Sequence, residues 1–281
     1  MIMCIQSTHG NIKAKKLTDM KGFSMFVVKM ICVLIVFLPL LQSCAVKTET
    51  GDNMSTCKVE NRAVFIEDFD DNSLKWIAYD PAGNVRQPLI FDSVLYSFSP
   101  WWVDYNHAPP GAGYLHILAG LHTHDTSKWI TEKKMPVDFT NARVTLRMRG
   151  ELAQKGSQML ILLQAKNEAT TANFVLTSQP FNVTQQWSEQ TITLSADPSQ
   201  WVCLGSRADR TETYGCFDVA DALKNMNVDF IFVLFPLNIE PIEPVADKHL
   251  RRAGSQYHVK QELLPDGIVM IDWVKMEFPA K

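Results

Sequence analysis

The 281-residue chain has little that marks a cofactor enzyme. Its six cysteines form no CxxC pair, so zinc-ribbon and thioredoxin-type chemistry have no support. It has no glycine-rich phosphate loop, no βαβ alternation and no internal repeat. The formal net charge of -3 argues against nucleic acid as the main partner, since counterion release needs a basic surface. Helical periodicity is thin. The longest uncharged apolar run, Met30 to Leu41, is too short to span a bilayer comfortably. What the chain does have is 46% hydrophobic residues, enough for a real core.

That apolar run follows a basic stretch containing Lys13, Lys15, Lys16, Lys21 and Lys29, which is the build of a signal peptide. It ends in Leu41-Gln42-Ser43-Cys44, which resembles a bacterial lipobox. The resemblance implies a cut before Cys44, diacylglycerol on its thiol and a membrane anchor made of lipid. Residues 1–43 are then a lipoprotein signal peptide, 44–61 a flexible polar tether and 62–281 one folded domain on the bacterial cell envelope. Residues 1–43 take five of the 27 basic and one of the 30 acidic residues, which leaves a mature charge of -7. Cys203 and Cys216 bracket a turn-rich loop, so in an oxidising compartment a disulfide is expected between them. Cys57 has no evident partner.

From residue 62 the pattern is strand, turn, strand. Ala142 to Arg149 is the clearest case: Val144, Leu146 and Met148 alternate with Arg143, Thr145, Arg147 and Arg149. Further strands are expected at 63–67, 88–98, 113–119, 158–165, 174–177, 188–194, 228–235 and 268–277. One short helix is expected over Val219 to Met226, capped by Asp218. Many short strands between turns imply an all-β fold, an antiparallel β-sandwich.

Three segments carry a family resemblance: Phe65-Ile66-Glu67-Asp68-Phe69, Trp187 before Thr191-Ile192-Thr193-Leu194, and Ile271-Asp272-Trp273-Val274. Together they resemble the galactose-binding-like jelly roll of carbohydrate-binding modules. The resemblance implies a polysaccharide or oligosaccharide ligand. It also implies a structural Ca2+ held by Glu67, by Asp70 or Asp68, and by Asp272.

The aromatic loop Ser99 to Tyr114 is the expected binding surface, with Trp101, Trp102 and Tyr105 to stack on sugar rings and Asp104, Asn106 and His107 to meet hydroxyls. The alternative reading puts one or both tryptophans in the core. The row of Arg143, Arg147 and Arg149 is either a solvated face or a binder of acidic sugars, with Arg147 and Arg149 the expected contacts. His122, His124 and Asp125 are a weak metal cluster, and His116 reads as a packed residue.

Non-catalytic glycan binding is therefore the expected function. One alternative is a jelly-roll polysaccharide lyase drawing on Tyr105, His107, Arg147 and Gln164, or a glycosidase. Arg149-Gly150-Glu151-Leu152 faintly resembles an alginate-lyase strand, but the tyrosine-rich closing motif of that family and any E-x-D-x-x-E motif are missing. The other alternative is a structural or adhesion protein of the envelope. If the lipobox reading holds, the full chain expressed in a bacterium takes up labelled palmitate and partitions into detergent, and Cys44→Ala does neither. Equal labelling of the variant contradicts the reading.

Overall fold

In the computed structural model, residues 63–70, 76–104, 112–121, 134–207, 212–238, 240–241, 257–258 and 261–280 are described. The signal, the tether, Cys44, Cys57, Tyr105, His107, His122, His124 and Asp125 lie outside these ranges. The first strands are β1 (Val64–Glu67), β2 (Ala78–Tyr79), β3 (Val85–Arg86), β4 (Leu89–Phe91), β5 (Val94–Phe98) and β6 (Val103–Asp104). The long strands follow: β7 (Ala112–Leu121), β8 (Arg143–Ala153), β9 (Gln158–Lys166) and β10 (Thr171–Leu176). The remainder are β11 (Ser188–Thr193), β12 (Trp201–Cys203), β13 (Asp229–Asn238), β14 (Glu240–Pro241), β15 (Tyr257–His258) and β16 (Asp266–Glu277).

Two six-stranded antiparallel sheets result. The first runs β11-β8-β16-β5-β4, with β1 beside β5 on the same edge of β16; the second runs β12-β10-β9-β13-β7-β6. The chain crosses between sheets after β5, β7, β8, β10, β11 and β13, the alternating path of a jelly roll. The expected all-β sandwich is the fold.

The burial pattern explains two kinds of strand sequence. On β8, Val144, Leu146 and Met148 are fully buried between the sheets, while Arg143, Arg147 and Arg149 face outward. β9 and β13 read instead as nearly continuous apolar runs. Met159, Ile161 and Leu163 of β9, with Phe230, Phe232 and Leu234 of β13, fill the central core. Leu160, Leu162, Ile231 and Val233 enter a second apolar cluster on the far side of the same sheet, with Ile77, Tyr114, Ala119, Val175 and Leu204. Strands covered on both faces have no reason to alternate.

β8 and β16 approach closely. A Cβ at Gly150 would lie 2.2 Å from the Ile268 carbonyl oxygen, so only glycine fits. β16 also has a register shift between Ile271 and Trp273, which makes Asp272 an inserted residue. The bulge lets Ile271 and Val274, three apart, both face the core.

The helix α1 (Val219–Lys224) is capped as expected, with Asp218 accepting from the Ala220 N–H at 2.9 Å, and it buries Val219, Ala222 and Leu223. It ends two residues before the expected boundary. Cys203 and Cys216 are joined in a disulfide with Cα atoms 6.1 Å apart. The cross-link ties β12, an edge strand, to the segment before α1. Removing it with Cys203→Ser and Cys216→Ser is expected to cost about 3 kcal/mol in urea unfolding, the chain-entropy figure for a loop of this size. An unchanged midpoint under reduction contradicts this role.

Candidate functional site

The paired tryptophans, in the connection from β5 to β6, go to different surroundings and do not flank one ligand. Trp101 is 5% exposed and belongs to the central core. Its indole N–H donates to Ser97 Oγ at 2.9 Å, and that hydroxyl donates to the Ile117 carbonyl at 2.8 Å. This corrects the expectation for Trp101: it is a core pillar whose polar edge is satisfied internally. Trp102 is half-buried on the outer face of the second sheet, and its carbonyl accepts from the His116 N–H.

Around Trp102 the second sheet gathers an aromatic and polar cluster. The Trp102 ring lies 4.5 Å from the His116 ring and 5.1 Å from Tyr79, and Tyr79 is 5.1 Å from His116. Tyr114 completes the group, 5.0 Å from His116. The turn after Tyr79 supports the indole from outside: a Cβ at Gly83 (φ +83°) would sit 3.0 Å from Trp102 Nε1. Asp80 holds that turn, accepting from the Asn84 side chain and backbone, from Arg86 and from the Ala82 N–H. These bonds, Asn84 foremost, hold its carboxyl down to about 2.

Beside the rings lies a buried ion pair. Asp104 Oδ2 accepts from Arg207 at 2.6 Å and from the Tyr114 hydroxyl at 3.2 Å. The Arg207 guanidinium also sits 5.3 Å over the Tyr214 ring. A buried charge pair is tolerated when further hydrogen bonds satisfy it, as the Tyr114 bond does here. Gln164 donates to Asn173 Oδ1 at 2.8 Å on the same face.

Burial first, then the Asp229 and Asp104 carboxylates, push the Tyr79 phenol up to about 12. Burial, with Asp104 next, raises Tyr114 well above the usual tyrosine range.

The two arginines lie elsewhere. Arg147 and Arg149 stand on the outer face of the first sheet, the opposite side of the sandwich from Trp102. They share the Trp187 ring, with guanidinium carbons 5.4 Å and 4.8 Å from its centroid. Arg147 forms an ion pair with Asp272 on the β16 bulge. The expected ligand set is thus split between two faces. The lyase set is split the same way, since Arg147 faces out from the first sheet and Gln164 from the second.

Among the expected calcium ligands, Glu67 and Asp272 make protein contacts on different sides of the first sheet. Glu67 is buried on the inward side of β1, where its Oε1 accepts from the Phe69 N–H at 2.9 Å and supports Phe69 at φ +60°. Asp272 faces outward and neutralises Arg147. Asp70 is exposed. Among the described residues no group of three or more His, Cys, Asp or Glu is placed to hold a metal.

His116 is packed, as its flanking Leu115 and Ile117 imply, but it packs within the aromatic cluster. Reading by segments missed Tyr79, Arg207 and Tyr214. Each is remote in sequence from the Ser99 to Tyr114 loop, and no local pattern announces it.

No family model and no curated protein matches the chain. Among solved structures it is similar to the L4b domain of human laminin alpha-2, at 9% identity over 78% of this chain and 98% of that one, with a TM-score of 0.36. It also aligns with a chain of the Mud Crab Dicistrovirus at 15% identity, over 100% of this chain and 94% of that one, with a TM-score of 0.14. At those scores neither likeness carries an inference about this chain.

The shifted phenols set a pH dependence. The unfolded chain loses a tyrosine proton near pH 10, while folded Tyr79 keeps its own to about 12. Between these values the folded state binds more protons, so stability falls as pH rises, and below pH 10 this contribution is constant. The urea midpoint is expected to fall from pH 10 to 12, and less steeply in Tyr79→Phe, with Tyr114 supplying the remainder. Identical slopes in both proteins contradict the assignment.

Proposed function

We propose that the protein is a non-catalytic carbohydrate-binding lipoprotein, tethered to the bacterial cell envelope through Cys44 and built on a galactose-binding-like jelly roll. The observation that carries the reading is the half-exposed Trp102 ring set beside Tyr79 and His116, 5.1 Å and 4.5 Å away. A sugar ring offers an apolar C–H face, and a flat indole held in place by its neighbours meets it at little entropic cost. The turn at Gly83 and the His116 backbone bond hold the Trp102 segment before any ligand arrives. The buried Asp104–Arg207 pair and the Gln164–Asn173 hydrogen bond brace the same face from within.

The lipobox resemblance supports the location, and the motif resemblance supports the ligand class. A binding role asks only for this stationary surface. The lyase alternative needs its base and its carboxylate-neutralising group together; its candidate neutralisers Arg147 and Gln164 face opposite ways, and its candidate bases Tyr105 and His107 lie outside the described residues.

Affinity electrophoresis across a panel of neutral and acidic polysaccharides tests the reading. Wild type is expected to be retarded by at least one polysaccharide without cleaving it. Trp102→Ala is expected to weaken that retardation by about tenfold, equivalent to roughly 1.4 kcal/mol, measured well below its own melting temperature because the lost ring packing also lowers stability. Trp101→Phe is expected to lower stability and leave retardation unchanged. Retardation by none of the panel overturns the proposal, and capture of a single protein partner instead favours an adhesion role.

A further inference from the structure

The outer face of the first sheet holds two arginines over one tryptophan, and their surroundings differ. Arg147 has its counter-ion, the Asp272 carboxylate on the β16 bulge. Arg149 has no carboxylate and no hydrogen-bond acceptor among the described residues, although its guanidinium lies closer to the Trp187 ring, at 4.8 Å. Its Nε is buried and donates to nothing. An arginine serving only as a solvated surface charge has no need to shed water in this way, because a half-desolvated cation costs stability unless something compensates it. The indole face supplies part of that compensation and fixes the plane of the guanidinium. What remains is a preset fork of N–H donors with no anion among the described residues to use it.

The neighbourhood indicates what the anion is attached to. Arg149 is in register with Met270 on β16, and Met270 is in register with Tyr96 on β5. All three are half-buried and face outward, so an apolar, ring-bearing row runs from the guanidinium across the sheet. Leu89, in register with Tyr96, and Phe98, next but one to it on β5, extend that surface to the sheet edge. The nearby acids are Asp272, bound to Arg147, Glu151, which accepts from Gln185 at 3.4 Å, and Glu189, opposite Arg147 on β11. None of them is paired with Arg149.

We propose that Arg149, stacked on Trp187, anchors a second binding site whose ligand is an acidic sugar residue. Its oxyanion, a uronate carboxylate or a sulfate ester, takes the guanidinium fork, and its ring lies along Met270 and Tyr96. A planar guanidinium matches both oxyanions in a two-point contact that a lysine cannot reproduce. The inference rests on the glycan reading and deepens it by naming a ligand class. The site is separate from the Trp102 cluster, which lies on the other sheet.

The test is affinity electrophoresis of the intact domain in gels containing alginate, polygalacturonate, dextran sulfate or neutral dextran. It is paired with any neutral polysaccharide retained through Trp102. Wild type is expected to be retarded in at least one acidic gel, less so at high salt, and not in dextran. Alginate and polygalacturonate report a carboxylate, and dextran sulfate reports a sulfate. Arg149→Gln is expected to weaken that retardation at least about tenfold, and Arg149→Lys nearly as much despite its retained charge. Trp187→Leu is expected to weaken it too, while Trp102→Ala leaves it intact. Thermal melting of each variant guards against unfolding, and the conservative Arg149→Lys keeps the test open should Trp187→Leu not fold. Equal retardation of wild type and Arg149→Gln overturns the site. So does a lack of retardation in all three acidic gels. If neutral retention through Trp102 persists in that case, this inference alone falls; if it is lost as well, the glycan reading falls with it.

Discussion

One constraint governs the molecule: a strand shows successive side chains to opposite faces, and in this sandwich both faces of one sheet are covered. Trp101 and Trp102, in the connection leading into β6, are divided in the same sense. One indole closes the core over Ser97, and the other emerges beside His116. The same rule puts Arg147 and Arg149 across the molecule from Trp102. Any function assigned to these residues has to be assigned by face, because proximity in sequence does not bring them to one ligand.

Alternation also sets the electrostatics. On the second sheet a charged pair, Asp104 and Arg207, is buried under aromatic rings and held by the Tyr114 hydroxyl. Burial among those groups raises the phenols of Tyr79 and Tyr114. On the first sheet the cations stay at the surface, and the inserted residue of a bulge provides the one carboxylate that Arg147 uses. Without the register shift Ile271 and Val274 could not both face the core. The bulge therefore serves packing and charge placement together. Glu67 makes a similar point: what reads as a metal ligand in the chain holds the backbone of Phe69 through a hydrogen bond.

The sandwich was legible because period-two alternation on β8 and continuous apolar runs on β9 and β13 are direct consequences of burial on one face or two. The Asp218 cap was legible because it is local. The disulfide was legible from the spacing of two cysteines around a loop. The proposed binding surfaces were legible only in part. Trp102 lay in a conspicuous loop, but its partners Tyr79 and Arg207 come from other segments. Trp187 was visible as a motif landmark, but its two arginines are reached only through the pairing of β8 with β11. Pairing register is a tertiary outcome, so no local window of sequence contains it. The expected calcium ligands illustrate the same point, since short motifs do not say which face a carboxylate occupies, and Glu67 faces inward while Asp272 faces outward.

Indole N–H resonances offer the most direct check, because each tryptophan reports its own face. On titrating a retained glycan into labelled protein, the Trp102 signal is expected to move while that of Trp101, bound to Ser97, stays fixed. Movement at Trp101 with Trp102 unchanged would contradict the division of faces on which the account stands.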